Sequence, residues 1–182
     1  WLPEFDASFD ALLLVGMHAM GGTPNALLPH SLWEVNGGAL HLGEGSMAAA
    51  LAGHRGVPTV FASGDDKVTA ELRGKIPGLR TVQTKKGLGA YQARSLVPAR
   101  ACALIAAGVM EALAHIKDIA PYRVPGPLRL NLLDSPKHMP PFAYILDKAV
   151  EAPDIEEAFL RAVKAMPWNH FDTALPDGFQ YP

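Results

Sequence analysis

The stretch GMHAMGGTPNALLPHS, Gly16 to Ser31, sets His18 and His30 in a run of mostly small and apolar residues. Imidazole titrates near neutrality, so it carries protons in catalysis and, when neutral, binds metal ions. Glu44 follows between two glycines in HLGEGSM. Imidazole and carboxylate together form a donor set that zinc and similar borderline metals take. Plainer roles compete at each position. A histidine flanked by Met and Ala serves equally as a hydrogen-bonded core residue, and a glutamate at a strand-to-helix junction serves the helix dipole.

The other candidates point less sharply. His41, His54, His115, His138 and His170 show no i, i+4 pairing and no HExxH pattern, so surface or packing roles are expected for them. Ser31 and Ser63 lack the G-x-S-x-G elbow of a serine hydrolase. The glycine pair Gly87 and Gly89 has no third glycine at phosphate-loop spacing, and a turn is expected there.

The elements that must position these residues follow from the apolar pattern. Phe9 to Val15 is a short continuous apolar run closed by Gly16, as for a parallel strand covered on both faces, which puts His18 just past a strand's carboxyl end. Asn36-Gly37 between apolar residues signals a tight hairpin. A helix is expected from Gly43-Glu44 through MAAALAGH, ended by Gly53 or Gly56. Val57 to Ser63 is a second buried strand, and Asp65 or Asp66 caps the helix that runs to Ile76. Leu79 to Thr84 reads as a third strand, and Pro98 to about Asp118 as a long core helix. After the proline-rich PYRVPGP, LRLNLL is another strand, and Asp154 with Glu157 caps a helix that keeps its spacing to Met166.

Strand and helix alternate, so the expected fold class is α/β, a layered αβα structure with a parallel or mixed sheet. The expected organisation is a main lobe over residues 1–120 carrying the site motifs, a linker over 121–127 and a strand-helix lobe over 128–182. Ligands gather beyond the carboxyl ends of strands in such sheets, where His18 and Asp65 fall.

Composition narrows the partners. With 182 residues, 19% charged and a net charge of -2, the chain carries no basic footprint for nucleic acid. No apolar run approaches the roughly 20 residues that span a bilayer, so no membrane partner is expected. Cys102 is the single cysteine, which excludes an intrachain disulfide and suits a reducing, cytoplasmic setting.

Four stretches then match a known pattern. GMHAMGGTPNALLPHS, the VNG of Val35 to Gly37 followed by GEGSMAAALAGHRGVPTVFASGDD, TKKGLGAYQARSLVP and PYRVPGP, in that order and over nearly the whole chain, closely resemble the DppA-type D-aminopeptidase family, zinc metallopeptidases with a dinuclear site. The resemblance implies metal ligation by His18 and Glu44, catalysis by His30, and zinc as the cofactor, with two ions per complete site. It further implies a metal-dependent aminopeptidase that hydrolyses N-terminal residues from short peptides, D-amino acids among them, by metal-activated water. A homo-oligomeric ring with sites facing an inner space is implied as well.

Family members carry a further N-terminal segment with an Asp-x-Glu strand and another histidine. The resemblance thus leads one to expect the carboxyl-terminal portion of such an enzyme, its remainder cleaved, outside this sequence or a separate N-terminal fragment, and its site incomplete alone, since catalytic zinc keeps three protein ligands. Leu12, Leu14 and their neighbours would then be less covered than their pattern demands. Two readings compete with this one: a non-catalytic small-molecule or peptide-binding subunit on the same fold with an incomplete metal site, and another metal-dependent amidohydrolase.

Overall fold

The computed structural model describes residues 5–133 and 148–165. The expected helix end at Met166, and His138 and His170, lie outside the described residues.

Among the described residues, two four-stranded sheets organise the fold. In the first, β1 (Leu12–Met17), β4 (Thr59–Asp65) and β5 (Arg80–Gly89) run parallel, and β6 (Gln92–Ser95) pairs antiparallel with β5. The apolar run at β4 is buried along its whole length, as a central parallel strand must be. Its alternating side chains separate the layers. Phe61 meets Gly108 of helix α3 (Pro98–Ala114), whereas Gly64, on the opposite face, lies against Val68 of helix α2 (Asp66–Lys75). The sheet is thus sandwiched between helices, as expected.

The second sheet is antiparallel in the order β3 (Leu40–Leu42), β2 (Trp33–Val35), β7 (Leu128–Leu132) and β8 (Val150–Ala152). The hairpin between β2 and β3 starts at Asn36-Gly37 as the sequence signals, with both residues left-handed. The Asn36 side chain accepts the Arg129 N–H at 2.8 Å and so joins the turn to β7. Helix α4 (Ile155–Ala165) is capped by Asp154, which accepts the Glu157 N–H at 2.9 Å, and lays Ile155, Ala158, Phe159 and Ala162 on this sheet's core.

Helix α1 (Glu44–His54) joins the two cores. Every residue from Gly45 to Gly53 is buried, because Ala and Gly on all sides let neighbours approach from every direction. Met47, Ala50 and Leu51 face the core of the second sheet, and Ala48 and Ala49 that of the first. Its first residue, Glu44, is delivered at the junction.

The structure departs from the sequence reading in five places. The first strand begins at Leu12, because Phe5 and Phe9 stack on each other at 5.0 Å ahead of it, and Phe9 stays 49% exposed. Gly16 does not close that strand: with φ at +77° it makes a bulge, after which Met17 pairs with Gly64. The strand is not covered on both faces either. Leu14 is buried, and it is Leu13 and Val15, on the opposite side, that reach water. Gly87 and Gly89 belong to β5 instead of a turn, since a Cβ at Gly87 would lie 2.2 Å from the Asn25 carbonyl oxygen and the loop of His30 needs that space. Helix α3 is a one-sided cover: Ala112 is fully buried, while Met110 and Leu113 are exposed.

Of the two glycines expected to end α1, Gly56 does so, with φ at +85° just after the C-cap Arg55, while the helix runs past Gly53 to His54. A Cβ there would sit 1.8 Å from the Tyr122 carbonyl oxygen. Gly53→Ala gains about 1 kcal/mol of helix propensity and incurs an overpacking cost of roughly 1–3 kcal/mol or more. The thermal midpoint is expected to fall by several degrees in calorimetry. A higher midpoint would show that the Tyr122 segment yields freely.

Candidate metal centre

The bulge at Gly16 turns the chain out of β1 and leaves His18 beyond the strand's carboxyl end. Its imidazole Nδ1 lies 2.9 Å from the Ala19 carbonyl oxygen. A carbonyl can only accept, so Nδ1 carries a proton, and Nε2 is the nitrogen that a neutral ring leaves for a metal ion. His30 repeats the arrangement, with Nδ1 2.7 Å from the Leu28 carbonyl oxygen. The two rings stack at 3.6 Å between centroids and 17° between planes, so both Nε2 atoms are aimed alike.

They are aimed at Glu44. His18 Nε2 is 3.2 Å from Glu44 Oε2, and His30 Nε2 is 3.5 Å from Glu44 Oε1. One ligand atom from each of the three side chains falls within 4.8 Å of the others. The Ser31 hydroxyl donates to Glu44 Oε1 at 2.6 Å and holds the carboxylate. All three side chains remain 18–27% accessible, so the cluster is open to a small ligand.

The electrostatics follow from this packing. Burial alone would lower the His18 pKa, but its contact with Glu44 and the Ala19 carbonyl outweigh burial and raise it above the ordinary histidine value. Burial would raise the Glu44 carboxyl, yet His18 and the Ser31 hydroxyl pull it below the usual carboxylate range. Two acceptors facing each other at 3.2 Å call for a cation between them, whether a proton on Nε2 or a metal ion. Imidazole nitrogen and carboxylate oxygen are also ligands that zinc takes, and a ring whose other nitrogen donates to a carbonyl is the usual setting of a metal-bound histidine.

The loop that carries His30 is held in an uncommon conformation. Asn25, Leu28 and Ser31 have φ of +57°, +48° and +59°, a cost that tertiary contacts must offset. Asp65 supplies one such contact. Its Oδ1 caps α2 through the N–H groups of Lys67 and Val68, while Oδ2 accepts the Leu27 N–H at 2.8 Å. Leu28 N–H donates to the Ala90 carbonyl at 2.8 Å, so the hairpin of β5 and β6 supports the loop from its other side.

The sequence-predicted residues His18, His30 and Glu44 therefore come together. His41, His54 and His115 stand apart: His41 lies in β3, His54 faces Asp154 and Glu156 at the far end of α1, and His115 pairs with Asp118. Sequence reasoning missed Ser31 as the partner of Glu44, and it missed Glu71. Glu71 is a largely buried carboxylate of α2 that accepts the Met20 N–H at 2.9 Å, and burial pushes its pKa up. The available signal was its position three residues after Val68 and one before Leu72, on the edge of the buried stripe of α2.

Comparison with known proteins places the chain in a family. A D-aminopeptidase of Bacillus subtilis (strain 168) is 27% identical over 123 residues, which span 66% of this chain and 45% of that relative's length. A solved structure, the Zn-dependent D-aminopeptidase DppA from Bacillus subtilis, described as a self-compartmentalizing protease, matches 98% of this chain and 68% of its own with a TM-score of 0.78. At 22% identity that likeness establishes the αβα fold. Residues 2–151, the greater part of the sequence, match the family model described as D-aminopeptidase, and the chain belongs to that family.

Proposed function

We propose that this chain carries part of the active site of a zinc-dependent aminopeptidase acting on short peptides, in which His18 and Glu44 hold the metal and His30 moves protons. The observation that carries the reading is the convergence of two imidazole Nε2 atoms on one carboxylate, each ring fixed by a backbone carbonyl. Such a donor set favours a peptidase over a non-catalytic binding subunit. A bound zinc ion supplies Lewis acidity toward a peptide carbonyl and lowers the pKa of coordinated water toward neutrality.

The residues of the chain do the rest. Glu44 is ionised at neutral pH and offers one oxygen toward each imidazole. Ser31 holds one of those oxygens by its hydroxyl. With Nδ1–H donating to Leu28, His30 Nε2 is free to accept a proton from an attacking water and return it to the leaving amine. Two ligands are fewer than the three that catalytic zinc keeps, so the reading calls for donors beyond His18 and Glu44, and for two ions once the set is complete. The name of the Bacillus subtilis structure supports zinc, and its self-compartmentalizing description supports assembly of this chain into a closed homo-oligomer.

Substitution separates the two histidines. His18→Ala is expected to lose zinc by elemental analysis, whereas His30→Ala keeps zinc and loses roughly 100-fold or more in kcat on a short D-amino-acid peptide. Equal zinc loss in both variants would make His30 a ligand.

The titration behaviour gives a second test. In the metal-free protein, the contribution of Glu44 is present above the ordinary carboxylate range and is lost as pH falls through its lowered pKa. That of His18 is present below the ordinary histidine value and is lost as pH rises through its raised pKa. The pair thus stabilises the metal-free chain most between those limits. Zinc must displace the His18 proton, so zinc affinity is expected to weaken by about tenfold per pH unit below the His18 pKa. Calorimetric titration that finds no pH dependence there would remove His18 from the ligand set.

A further inference from the structure

Glu71 is not part of the cluster, yet one peptide unit connects it to His18. Its Oε2 accepts the Met20 N–H at 2.9 Å, and the carbonyl of the same peptide, that of Ala19, accepts from His18 Nδ1 at 2.9 Å. The chain of contacts runs carboxylate, peptide, imidazole and then Nε2 toward Glu44. We propose that Glu71 is the positioning residue of His18, setting its tautomer and aim through the Ala19-Met20 peptide. This inference rests on the metal-site reading above and deepens it.

Three features support it. A peptide whose N–H is bound to a carboxylate has a more electron-rich carbonyl, which is a stronger acceptor for the imidazole N–H. A carboxylate or carbonyl behind a ligating histidine raises its basicity, and here both are arranged in series. Glu71 Oε1 also meets the Ser46 hydroxyl at 3.4 Å, and that hydroxyl accepts the Gly43 N–H at 2.9 Å at the start of α1. A single side chain thus ties the peptide of His18 to the helix end that presents Glu44. His30 takes no part, since its carbonyl partner, Leu28, precedes Pro29 in a peptide without N–H.

The experiment compares Glu71→Ala and Glu71→Gln in the full-length protein, with His30 as internal control. Nitrogen-15 NMR of the metal-free protein is expected to show His18 losing its Nδ1–H tautomer preference in Glu71→Ala while His30 keeps it. Zinc affinity should fall about 10- to 100-fold in the same variant. Glu71→Gln, which keeps an oxygen for the Met20 N–H, should restore both to near the wild-type values. An unchanged His18 tautomer in Glu71→Ala, or equal loss at both histidines, would overturn the proposal. Should Glu71→Ala not fold, hydrogen exchange at Met20 in the wild type decides: a protected amide supports the clamp, and free exchange overturns it. His18→Ala binding zinc like the wild type would defeat the metal reading instead, while the tautomer comparison still decides the role of Glu71.

Discussion

The site depends on one constraint, the hydrogen bond from each imidazole Nδ1 to a nearby backbone carbonyl. It places the ring proton on the far side of His18 and of His30 and leaves both Nε2 lone pairs facing a carboxylate. Acceptors held against acceptors repel unless a cation lies between them. The raised pKa of His18 and the lowered one of Glu44 are the proton's answer to that arrangement, and a divalent metal is the other. These side chains stay partly accessible while Asp65, which holds the loop of His30, is buried.

The fold exists around that arrangement in a definite way. A parallel strand ends, a glycine bulge redirects the chain, and His18 emerges where the carboxyl ends of parallel strands leave a crevice. Helix α1 begins in the same place because it is buried on every side and has no freedom to move its first residue, Glu44. Helix α2 and its N-cap contribute two carboxylates that accept backbone N–H groups: Asp65, the cap, holds the loop of His30, and Glu71, in the helix, holds that of His18. The left-handed residues Asn25, Leu28 and Ser31 show that the His30 loop would not adopt this path unaided.

Much of the framework was legible in the sequence because it is encoded locally. The apolar run at β4 leaves no face for water, Asp65 and Asp154 announce helix starts, and Asn36-Gly37 announces a hairpin. The chemistry of His18, His30 and Glu44 was legible by residue type. Their convergence was implied only by the family resemblance and not by periodicity, since Glu44 lies 26 residues from His18 and the packing of α1 brings them together. Ser31, Glu71 and the spacing role of Gly87 were hidden for the same reason: each acts through a contact with a distant loop or strand, and no periodicity records such a contact. The start of β1 was misplaced because Phe9 has a strand's residue type but spends its side chain on Phe5.

The role proposed for His18 and Glu44, turned toward each other in the site, is to hold a metal ion. The most direct measurement is a crystal structure of the zinc-loaded full-length protein with anomalous data collected at the zinc edge. The expected result is a zinc peak at about 2.0–2.2 Å from both His18 Nε2 and a Glu44 carboxylate oxygen, with the Nδ1 contact to Ala19 intact. A zinc ion bound through Nδ1, or one placed away from these two residues, would contradict the account.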